Sequence, residues 1–300
     1  MWNELVIIGL GGTGSYFLDP AIRCLVYREK APKKVLLIDG GVYKDRNMNR
    51  QFISKGAVGE NKAQLWASLL SREFGRELSV RGVGVYVGAK TKKAIPSLEN
   101  SIIVAAVDNY PARNYIAGLF AGLENAALIM SGNEAYDEKA LLSDLKKSPS
   151  GSVLSCLRRK GKYLMPPVTA FHDEIAHPVG KNPADLSCEE IAKMDGGQQI
   201  IRDNFGSAYH LLAKLLQLLE GHEEEFIAQT EIYYNSITNV SNVSTRYVDA
   251  EMVEMPKRKE ETVLTALELA RPVLVAVALS DKAPEVLPVE VVKKPRKQKS

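Results

Sequence analysis

The sequence predicts an α/β protein built on a Rossmann-like, doubly wound sheet, mostly parallel, with antiparallel strands added by the C-terminal half. Three observations carry that prediction. Short, continuously apolar runs alternate with helical patterns through the first 131 residues, as strands buried on both faces by crossover helices require. A glycine-rich turn, Gly9-Leu10-Gly11-Gly12-Thr13-Gly14, directly follows the first apolar run. Late in the chain, Glu231 to Tyr247 alternates in the manner of paired antiparallel strands.

Leu5-Val6-Ile7-Ile8 is the first buried strand. Tyr16 to Tyr27 has helical apolar spacing at Phe17, Ala21, Cys24 and Leu25, with Pro20 tightening its first turn. Val35-Leu36-Leu37-Ile38 is a second buried strand ending at Asp39, which completes a right-handed β-turn-α-β crossover. After a polar stretch, a helix runs from about Asn61 to Phe74 with Ala63, Leu65, Trp66, Leu69 and Leu70 on its apolar positions. Ser79 to Val87 alternates like a strand, and Ser101 to Val107 is a further buried strand, ending at Asp108-Asn109. Helix Ala112 to Leu123 and strand Ala127 to Ser131 complete the alternation.

Residues 133–187, rich in Pro, Gly and Lys, are expected to be a loop-rich crossover region with short strands near Val153 and Tyr163. A helix follows from about Gln199 to Glu220, its apolar face marked by Ile201, Phe205, Ala208, Leu212, Leu215, Leu216 and Leu219. From Pro256 the composition shifts to Lys, Glu, Pro and Val, which predicts one short helix (Glu260 to Ala270) and a poorly ordered basic tail. The domain organisation is therefore residues 1–255 and then 256–300.

Bulk properties narrow the function classes. A net charge of +3 over 300 residues points to neither nucleic acid nor membrane. Cys24, Cys156 and Cys188 form no C-x-x-C pair, so neither a disulfide scaffold nor a structural zinc site is expected. Cys24 lies on an apolar helix face and Cys156 in a strand-like run, both structural positions. No signal peptide is evident and the late apolar run near Val273 is too short for a membrane span, so a cytoplasmic protein is expected. His172-Asp173-Glu174-Ile175-Ala176-His177 lacks the H-E-x-x-H order of a helical zinc site.

The chemistry sits at the glycine turn. Gly9, Gly11, Gly12 and Gly14 let the backbone approach a phosphate while the following helix offers free N–H groups and a positive dipole end. Asp39, closing the next strand, is placed for ribose hydroxyls. Such a turn serves NAD and ATP alike. The residues beyond it discriminate: Asn47, Arg50 and Gln51 form N-x-x-R-Q, Gly59-Glu60-Asn61-Lys62 opens the next helix, and Asp108-Asn109 is followed by Arg113. A dehydrogenase has no joint use for that ordered Arg, Lys and Asp.

As a set, these motifs resemble the ThiF/MoeB/HesA family, bacterial relatives of ubiquitin-activating enzymes, in detail from Leu5 to Arg113 and more loosely to about Asp249. The resemblance implies ATP-dependent adenylation of the C-terminal carboxylate of a small ubiquitin-like or sulfur-carrier protein, in a homodimeric enzyme. Arg50 and Lys62 would neutralise the triphosphate, Asp108 would hold Mg²⁺, and Asn47, Gln51 and Asn109 would contact nucleotide or phosphate. It also implies a candidate acceptor thiol, Cys188, ahead of Gly196-Gly197 and the long helix.

The chain departs from that family in lacking two C-x-x-C pairs, in carrying Gly41 where relatives often have a second aspartate, and in opening at the first strand rather than at a helix. Two other readings share the fold: an NAD(P)-dependent oxidoreductase and a non-catalytic nucleotide-binding scaffold subunit.

Overall fold

A computed structural model describes residues 2–133, 139–193 and 200–248, all within one unit spanning Met1–Lys257. The expected helix at 260–270 and the basic tail lie outside the described residues, as does the Gly196-Gly197 pair.

Nine strands among the described residues form one sheet in the order β3-β2-β1-β4-β5-β6-β8-β9, with β7 paired to β6. The parallel part consists of β1 (Glu4–Ile8), β2 (Lys34–Ile38), β3 (Ser79–Val83), β4 (Ser101–Ala105) and β5 (Ala126–Asn133). The antiparallel part adds β6 (Gly151–Arg159), β7 (Lys162–Tyr163), β8 (Glu231–Asn235) and β9 (Val240–Ser244). Strand order runs outward from β1 to β3, then returns to β4 on the other side of β1. Ligands of doubly wound sheets bind in the crevice beyond the strand ends at such a reversal.

The sheet is buried on both faces because successive side chains of a strand point opposite ways. In β1, Leu5 and Ile7 enter one core with α1 (Gly12–Val26), α2 (Lys62–Phe74) and the later α7 (Ile201–Leu219). Val6 and Ile8 enter the other, beneath α3 (Tyr110–Ala121). Asn61 caps α2 by accepting from the Gln64 amide at 3.0 Å. Asn109 caps α3 by accepting from the Ala112 amide at 2.8 Å. Each satisfies an amide that a helix start leaves without an intrahelical partner.

Several expectations are corrected. The first helix begins at Gly12, not Tyr16, so Pro20 lies in its interior. The strand from Ser79 stops at Val83, not Val87. Leu69 of α2 faces solvent, and the helix packs through Ala63, Ala67, Leu70 and Phe74. Within the loop-rich region 133–187 the strand expected near Val153 is longer than expected: β6 is nine residues long, sits mid-sheet between β5 and β8, and buries Val153 to Arg158, while the one near Tyr163 is the short β7. Polar and basic residues flank this apolar run closely, which shortens the strand signal in the sequence. The helices there, α4 (Leu142–Leu145) and α5 (Asp173–Ala176), are short, as are α6 (Cys188–Lys193) before α7 and α8 (Glu223–Ala228) beyond it.

The largest correction concerns α7. Ile201 and Phe205, expected on its buried face, are 45% and 52% exposed, and the inward positions of its first turns are Asp203, Asn204 and Ser207. Only from Ala208 onward, through Leu211, Leu215 and Leu218, is the inner face apolar. Lys214 is also buried in α7. Its Nζ donates to the Phe226 and Gln229 carbonyls at 2.8 Å each and lies 4.0 Å from the Phe226 ring centroid. These bonds tie α7 to the end of α8.

Burial pushes the Lys214 ammonium down to about 7 from 10.5 because a low-dielectric site disfavours the charged form. The unfolded chain therefore binds this proton where the folded chain has released it, and the Lys214 contribution to stability rises with pH between these two values. Lys214→Met, by orphaning two carbonyls, is expected to cost about 1–3 kcal/mol. Urea unfolding of wild type and variant at pH 7 and pH 9.5 checks both the loss and the expected pH dependence of the difference.

Candidate nucleotide cleft

The crevice beyond the ends of β1 and β4 is a cleft of 680 Å³. Its floor is the glycine turn, and three glycines there are demanded by packing. Gly9 has φ +91°, and a Cβ on it would lie 2.6 Å from the Ala106 carbonyl oxygen. A Cβ on Gly14 would lie 2.0 Å from the Gly9 oxygen, and one on Gly12 would meet the Asn204 amide. Gly11 differs: nothing lies within 4 Å of its Cβ position, and it lines the cleft. Its missing side chain leaves room for a ligand at the start of α1, whose first turn no side chain caps. Uncapped helix-start amides beside open space form an anion site.

Asp39 sits at the end of β2 as expected and also fastens the floor. Its carboxylate accepts from the Leu10 amide at 2.6 Å and the Gly41 amide at 2.7 Å. A carboxylate has acceptor capacity beyond two bonds, so it can still meet a ribose hydroxyl. Asn61 binds the same loop, donating to the carbonyls of Asp39 at 3.0 Å and Gly41 at 3.2 Å. Lys62, next along, reaches over the Tyr43 ring at 5.5 Å and lines the cleft. The Cβ position of Gly41 lies 3.6 Å from Lys62 Nζ, so this glycine leaves the ammonium facing the cleft without a carboxylate from position 41.

Asn47 lies in a 3-10 turn, Asp45–Asn47, and its side-chain oxygen accepts from the Lys44 amide at 3.0 Å. That turn carries Arg50 and Gln51 into the cleft wall. Burial lowers the Arg50 pKa, attraction to Asp108 opposes this, and Arg46 adds to the lowering. Gln51 is buried with its side-chain Oε1 making no hydrogen bond, a polar atom whose desolvation a ligand hydroxyl or amine would relieve. Asp108 and Asn109 line the opposite wall. Tyr86 lies between these features: burial and then the carboxylates of Asp39 and Asp108 raise its pKa.

The structure thus brings Gly9, Gly11, Gly12, Asp39, Asn47, Arg50, Gln51, Lys62, Asp108 and Asn109 to one cleft, with Gly14 packed directly behind. It places Cys188 at the first residue of α6, where Ser187 and Glu190 form reciprocal capping bonds. The Cys188 side chain lies outside the described residues, but Ile191 of the same helix lines the cleft. Cys24 is half-buried and Cys156 fully buried in β6, where burial pushes its thiol pKa up. His172 binds Glu174 and Glu231 at 3.0 and 3.2 Å rather than a second histidine.

Sequence reasoning missed two sets of cleft residues. Among the described residues, Lys44 and Arg46 bring the lining cations, with Arg50, Lys62 and Arg113, to five, against the acids Asp39 and Asp108. No signal short of the 3-10 turn places them inward. Thr13, Ser131 and Asn133 also line the cleft and belong to a buried polar network. Asn133 donates to Asn204 Oδ1 at 2.7 Å, Tyr234 donates to Asn133 at 3.1 Å, and Ser131 donates to Ser207 at 2.8 Å. Polar residues on the wrong face of an apolar helix were the available signal. Among the described residues, no group of three or more His, Cys, Asp or Glu is arranged to hold a metal. Nor is any helix long and apolar enough to cross a membrane.

Fold and cleft together define a doubly wound α/β protein whose glycine turn opens onto a basic cleft at its switch point. The chain belongs to the ThiF family, which it matches over residues 3–251. It is similar in fold to E. coli MccB solved with ATP, at 16% identity and a TM-score of 0.56, covering 83% of this chain and 65% of that one. The microcin C7 biosynthetic enzyme MccB in complex with N-formylated MccA is similar at 15% identity and a TM-score of 0.57, covering 83% and 66%. The chain thus spans about 65% of the length of MccB. No curated protein matches it by sequence.

The glycine contacts separate folding from binding. Gly9→Ala, with its positive φ and carbonyl clash, is expected to lower thermal stability. Gly11→Ala is expected to leave the melting temperature near wild type while weakening nucleotide binding. Calorimetric melting and ATP titration of the two variants measure both effects.

Proposed function

We propose that this protein catalyses ATP-dependent adenylation of a carboxylate on a peptide or small protein. The observation that carries this reading is the charge of the cleft: among the described residues, five lining cations stand against two carboxylates beside the glycine turn. A dinucleotide presents only its bridging pyrophosphate, whereas ATP presents a triphosphate whose charge grows at the bridging oxygen as pyrophosphate departs. Preorganised donors and cations aimed at that charge lower the barrier.

In this reading the α1 amides and Gly11 hold the phosphate chain, while Asp39 and the orphaned Gln51 Oε1 take hydroxyl or amine groups of the nucleoside. Arg50 faces the leaving phosphates as a planar fork and Lys62 as a point charge. Asp108 would hold Mg²⁺, which would neutralise charge on the phosphates. This ion is commonly held by one or two carboxylates plus substrate phosphates, so a single acidic side chain on that wall suits it. The incoming carboxylate attacks the α-phosphate, pyrophosphate leaves, and the product is an acyl adenylate. MccB is solved with ATP in one case and with MccA in another; the finer reading here is a partner resembling a ubiquitin-like or sulfur-carrier protein with a terminal glycine. Should the acyl group be handed on, Cys188 at the start of α6 is the proposed acceptor. The Glu190 carboxylate, which would disfavour a nearby thiolate, is itself engaged by the Ser187 amide and by Lys181 at 3.1 Å.

Arg50→Ala and Asp108→Ala are each expected to slow ATP–pyrophosphate exchange, in the presence of the carboxylate partner, by about 2.7–4 kcal/mol of transition-state stabilisation. Exchange near wild type in either variant contradicts the assignment. Cys188→Ala is expected to retain exchange while losing any thiol-sensitive covalent adduct with the partner, detected by mass spectrometry before and after reduction. An adduct that persists in the variant removes the role of Cys188.

A further inference from the structure

The first turns of α7 bury the polar groups Asp203, Asn204 and Ser207, and Asn204, like Ser207, has no exposed surface. Its amide makes contacts that no chain-local need explains. Oδ1 accepts from Asn133 Nδ2 at 2.7 Å and from Thr13 Oγ1 at 3.4 Å, and Nδ2 donates to the backbone carbonyl of Arg50 at 3.2 Å. The same side chain lies against Gly12, occupying the space a Cβ there would need. One amide therefore joins the α1 start, the end of β5 and the Arg50 segment. The same segment is also held by the Gln51 amide, which donates to the Asn47 carbonyl at 2.9 Å, and by the Phe52 amide, which donates to Ser15 Oγ at 3.0 Å. Without Asn204 the Arg50 carbonyl would be left without this partner at the edge of a buried network.

We infer that Asn204 is a positioning residue: through the Arg50 carbonyl it holds the Arg50 guanidinium toward the triphosphate end of the nucleotide. Asn204 is not itself a cleft-lining residue, so it acts through Arg50 rather than by touching ligand. The amide group suits the task because it donates in one direction and accepts in the other. A leucine of similar size would fill the space and make none of the bonds. This inference rests on the nucleotide reading above, and on Arg50 meeting the phosphates that distinguish ATP from AMP.

The test is calorimetric titration with MgATP and with AMP of the wild type, Asn204→Leu, Arg50→Ala and the double variant, with melting temperatures as the folding control. Loss of one hydrogen bond that aims a charged group is expected to weaken ATP binding about tenfold while leaving AMP affinity close to wild type. In the Arg50→Ala background the same substitution is expected to change ATP affinity little, because coupled residues are not additive. Equal weakening of ATP and AMP, or an equal loss in both backgrounds, overturns the inference and leaves the nucleotide reading standing. Wild-type protein that binds neither nucleotide overturns both. If Asn204→Leu does not fold, Asn204→Ser takes its place in the same cycle, since a hydroxyl is too short to reach the Arg50 carbonyl and adds neither charge nor bulk beside Gly12.

Discussion

The contact on which the rest of the structure depends is the closure of the glycine turn against the end of β4. Gly9 lies so near the Ala106 carbonyl, and Gly14 so near Gly9, that no side chain fits at either position. That closeness brings the start of α1 to the point where the strand order reverses. Hydrogen bonds from the Leu10 amide to Asp39 and from the Gly9 amide to the Ile38 carbonyl then lock the turn to β2. A looser turn would move the helix amides away from the crevice, and the basic residues gathered there would have no common target.

Around that closure the molecule separates two tasks. The parallel strands and their apolar runs provide burial on both faces and most of the stabilisation. The polar groups that cannot be left unpaired inside such a core are gathered at one end, where Thr13, Ser131, Asn133, Asn204, Ser207 and Tyr234 satisfy one another. Such networks are rigid when complete and costly when broken. Placing one directly behind a cleft of like-charged Lys and Arg side chains gives those side chains a fixed backbone, and a fixed backbone is what preorganised electrostatic stabilisation requires.

The parallel half of the fold was legible in the sequence because buried strands print as unbroken apolar runs, and β1, β2 and β4 do so. The placement of cleft residues was legible where it is set by adjacent sequence: the glycines, Asp39 at a strand end, Arg50 and Lys62 in ordered spacing. What was hidden depended on contacts distant along the chain. The strand β6 is fixed by pairing with β5 and β8, and its Pro- and Lys-rich surroundings obscured it. The inward face of α7 was misassigned because helical periodicity assumes that the core is apolar, whereas its first turns face Gly12, Asn133 and Tyr234. Lys44 and Arg46 line the cleft from the Asp45–Asn47 turn and its N-cap, a placement that local sequence spacing does not reveal.

The central claim is that this cleft takes a triphosphate with its metal ion rather than a dinucleotide. The most direct measurement is isothermal titration of the purified protein with ATP and with NAD⁺, each with and without Mg²⁺. The charge of the cleft predicts that ATP binds more tightly than NAD⁺ and that Mg²⁺ tightens ATP alone, through Asp108 and the phosphates together. NAD⁺ binding more tightly than ATP, with no effect of Mg²⁺ on either, would contradict the account.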